Sequence, residues 1–332
     1  MVFSNQVNLS PVKRRTNSML HLKNINLICI LGPTASGKTA FATNLAKILD
    51  GEIISADSRQ VYRGMTIGTG KDLNEYMING ISIPYHLIDI IDAGSDYNVF
   101  RFQKDFIDTF DQITNSGKLP ILCGGTGMYI ESVLSGYKLI NVPLNEELRN
   151  DLEKLPMETL GKILKSYRNL HNTTDTSIRK RIIRAIEIED FYQRFPDKDE
   201  NYPLLKPVIF GLNLDREIRR KRITDRLKYR LENGMIEEVK QLINSGISPE
   251  KLIFYGLEYK YITWFLMGKM TLVEMITQLN IAIHQFAKRQ MTWFRKMEKD
   301  GKKIYWIDAE MIMREKLNYA SKIIVENDFR HS

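Results

Sequence analysis

The first part of the chain alternates short apolar runs with segments of helical periodicity. Residues 27–31 form an apolar run that predicts a buried strand, and apolar positions at helical spacing follow at residues 40–49. Further strands are predicted at residues 52–55, 86–90 and 119–123, and a helix is predicted at residues 99–115. Because strands that alternate with helices in this way form parallel sheets with helices on both faces, the pattern predicts an α/β fold.

The pattern changes in the second part of the chain. Residues 136–203 carry short helical segments, many charges and no strand signal, which predicts a small helical insertion. The chain then returns to a core pattern, with a strand at 207–214, amphipathic helices at 215–233, 235–245 and 271–299, a strand at 304–307 and a terminal helix. The core is therefore expected to consist of residues 26–135 and 204–332.

A glycine-rich segment lies between the first predicted strand and the first predicted helix. Its residues are Gly32, Pro33, Thr34, Ala35, Ser36, Gly37, Lys38 and Thr39. A strand, a glycine-rich loop with a Lys-Thr end and a helix are the sequence context of a phosphate-binding P-loop. The loop amides and the helix N-terminus hold phosphate oxygens, Lys38 adds a positive charge, and the Thr39 hydroxyl is available to a magnesium ion. The motif predicts a bound phosphate compound without specifying which one.

Two further polar residues directly follow predicted strands. Asp57 comes after residues 53–55, and Thr126 lies in the glycine-rich segment 124–127 that follows the strand at 119–123. Since ligands of parallel sheets bind beyond the carboxyl ends of the strands, we expect one crevice to collect Asp57, Thr126 and the P-loop. A carboxylate in this place can hold magnesium through water or accept a proton from a nucleophile. The alternative for Asp57 is a turn cap.

Basic residues cluster on three predicted helices of the second half. One row consists of Arg219, Arg222, Arg226 and Arg230. A second cluster consists of Arg179, Lys180, Arg181 and Arg184. On the third helix, one face carries the basic residues His284, Lys288 and Arg295 together with Thr292. Such rows are usually solvated helix faces. Guanidinium groups without acidic neighbours on the same face also fit phosphate oxygens, so contact with phosphate or RNA is the alternative.

Composition supports an anionic partner and argues against several other classes. The chain has 48 Lys plus Arg against 40 Asp plus Glu, a formal net charge of +8. Its two cysteines, Cys29 and Cys123, lie in apolar runs, so we expect buried reduced thiols rather than a disulfide framework or a zinc site. No apolar run approaches the length of a membrane span. The first 25 residues contain basic residues and no acidic one; we interpret them as a disordered basic tail, with a transit peptide as the alternative.

These residues leave more than one function open. A small-molecule kinase and an RNA-modifying transferase both need a P-loop and a basic partner surface. An RNA-binding protein with an inactive P-loop is a third possibility, and the presence of Lys38, Thr39 and Asp57 argues against it.

Four motifs, taken in order, resemble those of a single family. They are Gly-Pro-Thr-Ala-Ser-Gly-Lys-Thr at 32–39, Asp-Ser-Arg-Gln-Val-Tyr at 57–62, Gly-Gly-Thr-Gly-Met-Tyr at 124–129 and Ala-Lys-Arg-Gln-Met-Thr-Trp-Phe-Arg at 287–295. In this order and spacing they closely resemble the tRNA dimethylallyltransferases, also called tRNA isopentenyltransferases. The similarity covers approximately residues 26–308.

The resemblance implies a fold and a reaction. The fold is a P-loop NTPase-like core with a parallel sheet, plus a helical insertion that clamps the anticodon stem-loop of tRNA. The reaction transfers a dimethylallyl group from dimethylallyl diphosphate to the exocyclic amine of the adenosine 3′ of the anticodon and releases diphosphate. Mg²⁺ is the implied cofactor, at Thr39. The P-loop would then bind an isoprenoid diphosphate rather than a nucleoside triphosphate.

Residue roles are also implied by position. Asp57 would be the base or hydrogen-bond acceptor for the adenine amine, with Lys38 and Thr126 near the reacting centre. Arg222 and Arg226 would face the diphosphate held by the P-loop. The residues expected to contact tRNA are Asp57, Ser58, Arg59, Gln60, Thr126, Arg149, Lys180, Arg181, Arg184, Lys288 and Arg289.

Three segments depart from the family pattern. Gly68-Thr69-Gly70-Lys71-Asp72 replaces Gly-Thr-Ala-Lys-Pro, Tyr255-Gly256-Leu257-Glu258-Tyr259 replaces Ile-Gly-Tyr-Lys-Glu, and Ile283-His284 replaces Thr-Arg. These positions are thought to help hold the RNA, so the resemblance leaves open which tRNAs are modified and how efficiently. The C-terminal zinc finger of eukaryotic relatives is absent, which indicates the bacterial type of enzyme, expected as a monomer in the cytoplasm.

Overall fold

The computed structural model describes residues 22–137, 139, 141–167, 178–195 and 202–329. The chain divides into two compact units. The first unit consists of residues 1–135 and 203–332, and the second of residues 136–202.

The described strands form one large sheet and two small ones. They are β1 (Leu27–Leu31), β2 (Gly51–Ala56), β3 (Tyr62–Arg63), β4 (Met77–Ile78), β5 (Ile81–Ser82), β6 (Tyr85–His86), β7 (Ile91–Asp92), β8 (Leu119–Gly124), β9 (Pro207–Asn213) and β10 (Ile304–Asp308). The large sheet has the order β10-β9-β1-β8-β2-β6, and all its neighbouring strands run parallel. The pairs β3-β7 and β4-β5 lie apart from it.

The described helices comprise twelve α-helices and one 3₁₀ turn at Leu73–Tyr76. The α-helices are α1 (Lys38–Leu49), α2 (Val99–Asn115), α3 (Gly127–Leu134), α4 (Glu146–Glu153), α5 (Met157–Tyr167), α6 (Arg179–Arg194), α7 (Arg216–Glu232), α8 (Met235–Asn244), α9 (Pro249–Phe254), α10 (Leu257–Leu266), α11 (Leu272–Lys299) and α12 (Met313–Phe329). Within the described part of the chain, none of these helices combines the length and the apolar character needed to cross a membrane.

Both faces of the large sheet are covered because side chains alternate along each strand. Leu27, Cys29 and Leu31 of β1 point to one face, where they join a core with α2, α3, α7, α8, α9, α10 and α11. Ile28 and Ile30 point to the other face, which α1 and α12 cover. The predicted α/β fold with helices on both faces is therefore confirmed. Cys29 and Cys123 are free and buried, and burial raises the pKa of both thiols.

The predicted strand at 86–90 is wrong. The extended backbone ends at His86, and Leu87 and Asp89 both have positive φ angles, of 61° and 55°. Left-handed residues cannot continue a strand, so the apolar spacing there reflects a buried turn instead. The carboxylate of Asp89 accepts a hydrogen bond from the buried Lys71 ammonium at 2.5 Å. This contact joins the segment of Lys71 to the turn at Asp89, a pairing that the periodicity of the sequence does not predict.

The described chain begins at Leu22. Of the predicted tail, residues 1–21 lie outside the described residues, and residues 22–25 lie within them. Just after that point the chain is attached to the last helix. The Asn24 amide donates to the Asp328 carboxylate at 2.7 Å, and Ile25 is buried.

The second unit is built on three helices, α4, α5 and α6. Its core consists of Leu152, Leu160, Leu164, Ile182, Ile183 and Ile186. Beside this core lies Glu187, whose side chain is 1% exposed. Arg149 donates two hydrogen bonds to its carboxylate, at 3.0 and 2.9 Å, and Arg184 and the Asn145 amide also donate to it. Burial by itself raises the pKa of Glu187, but these hydrogen bonds outweigh it and lower the pKa to about 2.

We expect Glu187→Gln to destabilise the second unit by about 3 kcal/mol, since it leaves two guanidinium groups without their countercharge. The stabilisation by Glu187 is present above its ordinary pKa of 4.5 and is lost as the pH falls towards the folded value of about 2. The measurement is hydrogen exchange of the α4 and α6 amides between pH 7 and pH 3. The matched control is Glu153→Gln, whose half-exposed carboxylate pairs weakly with Arg179 at 3.8 Å. Equal effects of the two variants would contradict the buried-cluster interpretation.

Candidate active site

Three neighbouring strands, β1, β8 and β2, end at the same edge of the large sheet. The P-loop follows β1, Thr126 follows β8, and Asp57 follows β2. The Thr126 amide donates to the Ala56 carbonyl at 3.2 Å, and the Ser58 amide donates to the Thr126 hydroxyl at 3.0 Å. The structure thus brings the loop that carries Asp57 against the glycine-rich segment, with the P-loop on the other side of β8.

The glycines of segment 124–127 are needed because other groups pass close to their backbone. A Cβ atom at Gly124 would lie 2.2 Å from the Ala56 carbonyl oxygen. At Gly125 it would lie 2.5 Å from the Gln290 amide nitrogen, and at Gly127 2.5 Å from the Trp293 ring. Any side chain at these positions would push apart β2, β8 and α11.

The P-loop has the backbone of an anion site. Gly37, with φ of +78°, begins α1, and Lys38 donates to the Pro33 carbonyl at 2.8 Å. Burial lowers the pKa of Lys38 to about 8, although nearby carboxylates such as Asp57 act in the opposite direction. The Ser36 hydroxyl is buried and has no hydrogen-bond partner among the described residues. A ligand with oxygen acceptors would satisfy both groups.

Gln290 of α11 links the P-loop to the glycine-rich segment. Its Oε1 accepts from the Thr34 amide at 2.9 Å, and its Nε2 donates to the Gly125 carbonyl at 2.8 Å. Sequence reasoning did not assign this residue to the site. The sequence feature that could have indicated it is a polar residue within the apolar stripe of a long helix. In the structure Gln290 is 7% exposed.

Asp57 both caps its turn and lies at the site. One carboxylate oxygen accepts from the Arg59 amide at 2.9 Å. A carboxylate accepts several hydrogen bonds, so this cap leaves capacity for a substrate. Gln60 is held inside the protein, accepting from Ser55 at 3.2 Å and donating to the Gly70 carbonyl at 3.3 Å.

A small cavity, partly open to solvent, lies beside the P-loop. Its walls combine apolar and charged side chains and consist of Thr34, Ala35, Ile223, Arg226, Leu227, Arg230, Glu258 and Ile283. Arg226 is tied to Asp72, to which it donates at 2.7 Å. The predicted second arginine, Arg222, is exposed and does not line this cavity; Arg230 lines it instead.

Oxygen ligands for a divalent cation lie at the start of α1. The Thr39 hydroxyl lies close to the Glu75 carboxylate. Burial raises the pKa of Glu75, and Asp72 reinforces this. Among the described residues, no cluster of three or more His, Cys, Asp or Glu side chains has the arrangement of a metal site. A cation here would take few protein ligands and would need ligand oxygens or water, which is typical of Mg²⁺ bound with phosphates.

The tRNA-contact residues predicted in the second unit fall into two groups. Arg149 and Arg184 form ion pairs with Glu187, as described above, so their charges are paired within the unit. Lys180 and Arg181 are exposed on α6. In the first unit, Lys288 and Arg289 are exposed on α11, and the Arg289 guanidinium lies 5.9 Å from the centre of the Phe286 ring.

Comparisons with known proteins identify the family of the chain. The sequence model of the IPP transferase family matches residues 60–297, and that of isopentenyl transferase matches residues 25–83. The chain is 58% identical over 301 residues to tRNA dimethylallyltransferase 2 of Bacteroides fragilis, which covers 91% of this chain and 98% of that protein. It is 63% identical over 291 residues to tRNA dimethylallyltransferase 1 of Azobacteroides pseudotrichonymphae, covering 87% and 95%.

Solved structures give the same result. The tRNA isopentenylpyrophosphate transferase of Bacillus halodurans is 31% identical, with a TM-score of 0.66, covering 93% of this chain and 100% of that one. A eukaryotic dimethylallyltransferase acting on tRNA, 24% identical with a TM-score of 0.71, shares the fold over 92% of this chain and 80% of that one. With the family model matched over most of the chain and relatives above 50% identity, this chain belongs to the tRNA dimethylallyltransferase (IPP transferase) family.

Proposed function

We propose that this protein transfers a dimethylallyl group from dimethylallyl diphosphate to the exocyclic amine of the adenosine 3′ of the anticodon in tRNA, releasing diphosphate. The observation that carries the proposal is the meeting of three strand ends. An anion-binding loop, a carboxylate and a hydroxyl follow three neighbouring strands at one edge of the sheet, and a reaction between a diphosphate and an amine requires these groups. Family membership supplies the chemical identity of the two substrates.

The main chemical task is to stabilise the departing diphosphate. An adenine amine is a poor nucleophile because its lone pair is delocalised into the ring, whereas the allylic carbon loses its diphosphate readily. The P-loop amides, Lys38 and Arg226 would present fixed positive charge to the leaving oxygens. Asp57 would accept the proton of the amine as its positive charge grows, a contribution of about 10²–10⁴-fold. Thr126 holds the loop of Asp57 through the Ser58 amide.

The residues present fit a divalent cation. Thr39 and Glu75 offer the hard oxygen ligands that Mg²⁺ prefers. We propose that they hold the ion together with oxygens of the dimethylallyl diphosphate. When bound, the cation would neutralise charge on the diphosphate.

The target base must leave its stack to reach Asp57, and that costs least in a loop. We propose that the second unit clamps the anticodon stem-loop and that Lys180 and Arg181 contact its backbone. Arg59 would lie next to the flipped nucleotide because its own amide is bonded to Asp57. We further propose that the protein acts in the cytoplasm as a monomer.

Asp57→Asn is expected to lower the rate of transfer by about 10²–10⁴-fold, because the amide removes the proton acceptor. Asn keeps the oxygen that accepts from the Arg59 amide, so the turn should persist. The assay follows radiolabel from dimethylallyl diphosphate, with Mg²⁺, into an unmodified anticodon stem-loop that has adenosines after the anticodon.

The matched control is Asp111→Asn, the same change on an exposed position of α2. ATP is added as a competitor and should have no effect on the wild type. Absence of transfer to any stem-loop, together with tight ATP binding, would replace the proposal by a small-molecule kinase. Full activity of Asp57→Asn would place the base elsewhere.

Charge reversal at Lys180 and Arg181 is expected to raise the KM for tRNA by about tenfold or more, since two phosphate contacts are replaced by repulsion. The KM for the donor should not change. Initial rates at two salt concentrations measure both constants, and the variant should show a weaker salt dependence than the wild type.

Lys165→Glu is the comparison variant, because Lys165 is exposed on α5 of the same unit. If one reversal at Lys165 raises the KM for tRNA as much as the double reversal does, the effect is general electrostatics and the assigned contact surface is wrong.

A further inference from the structure

Arg230 lies one helical turn after Arg226 on α7 and lines the same cavity. Its side chain is 11% exposed, so the charge is held close to the P-loop residues Thr34 and Ala35 and away from bulk water. A buried cation beside an anion-binding loop needs an explanation, because its desolvation is costly unless a partner compensates it.

The protein offers this guanidinium only partial compensation. Nη1 lies 4.0 Å from the Glu258 carboxylate, too far for a hydrogen bond. Nη2 is buried and has no hydrogen-bond partner in the described part of the chain. Burial and the neighbouring Arg226 lower the pKa of Arg230 to about 10, so the group remains charged at neutral pH.

The two arginines of the cavity differ in how firmly they are held. Arg226 donates to Asp72 at 2.7 Å and lies 3.4 Å from the Gly70 carbonyl oxygen. Among the residues that the structure describes, the one ion pair of Arg230 is its 4.0 Å contact with Glu258. It therefore has more unused hydrogen-bonding capacity than Arg226 for an anionic ligand.

Two of the departures from the family pattern meet at Arg230. A Cβ atom at Gly70 would lie 1.8 Å from Nη2 of Arg230 and 2.6 Å from Nη2 of Arg226, so an alanine there would displace both guanidinium groups. At position 258 a lysine would add a third cation beside them, whereas Glu258 supplies a countercharge. Glycine at 70 and glutamate at 258 thus provide the space and the charge balance that a buried Arg230 requires.

We propose that Arg230 binds the diphosphate of the allylic donor, beside Arg226, and that Glu258 holds it in position between turnovers. The inference rests on the proposed function for the identity of the donor, but the anion site itself is independent of the acceptor. Arg230 would bind both the donor and the released diphosphate. Its loss should therefore change the affinity for these anions and leave the KM for tRNA unaltered.

Inorganic pyrophosphate with Mg²⁺ is the probe, measured by calorimetry on the full-length protein. Arg230→Gln is expected to weaken pyrophosphate binding by about 10–100-fold, as for the loss of charge-assisted hydrogen bonds. Glu258→Gln should bind pyrophosphate as tightly as the wild type or more tightly, because it removes a competing negative charge. Lys228→Gln, an exposed change on the same helix, is the matched control and should bind like the wild type.

The opposite behaviour of the two cavity variants separates ligand binding from a structural ion pair. If Arg230→Gln and Glu258→Gln weaken binding equally, the pair merely supports the fold and the proposal is overturned. Unchanged binding in Arg230→Gln overturns it as well. If Arg230→Gln does not fold, Arg230→Lys is measured instead, because it keeps the charge. A loss of pyrophosphate affinity of up to about tenfold supports the proposal, and wild-type affinity overturns it.

Transfer assays keep this inference apart from the proposed function. If the wild type transfers the dimethylallyl group and Arg230→Gln has an unchanged KM for the donor, the inference fails while the function stands. If the wild type transfers nothing but Arg230→Gln loses pyrophosphate affinity, the function fails while the anion site stands.

Discussion

The site depends on the close passage of β8 against β2 at Gly124. A Cβ atom there would lie 2.2 Å from the Ala56 carbonyl oxygen, so glycine is required where the two strands end. This contact allows the Thr126 amide to bond to Ala56 and the Ser58 amide to reach Thr126. Because β1 is the next strand on the other side of β8, the distance from Asp57 to the P-loop is set by the sheet itself.

Residues remote in sequence then fix the loops around these strand ends. Gln290 accepts from the P-loop and donates to Gly125, which fastens both to α11. Glu238 of α8 accepts from the amides of residues 66, 67 and 68, at 2.8, 2.7 and 3.0 Å, and from Tyr259 at 2.7 Å. The loop that carries Gly70 and Asp72 is thereby held against α7. Helices of the second half of the chain complete a site whose strand-end residues lie in the first half.

This division explains what the sequence could and could not predict. The ends of β1, β2 and β8 and the long helices follow from local periodicity, the P-loop follows from its glycine-rich motif, and these features were predicted. Gln290 and Glu238 bind loops more than 150 residues away along the chain, so local spacing does not reveal which segments they hold. The row of arginines on α7 shows this limit. The sequence indicates the whole row and the family resemblance favours Arg222 and Arg226, but the packing of the helix leaves Arg222 exposed and places Arg230 at the cavity. In the same way, Arg149 and Arg184 look like free charges until the buried Glu187 is located.

The charges of the site are held by protein partners before any substrate binds. Lys38 donates to the Pro33 carbonyl, and Arg226 donates to the Asp72 carboxylate. A diphosphate therefore replaces existing interactions and does not have to order free side chains, which is the condition for effective electrostatic stabilisation of a leaving group. It also means that the carboxylates compete with the ligand for the cations. The strength of diphosphate binding must then depend on how weakly each cation is held, and the weakest pairing in the cavity is that of Arg230 with Glu258.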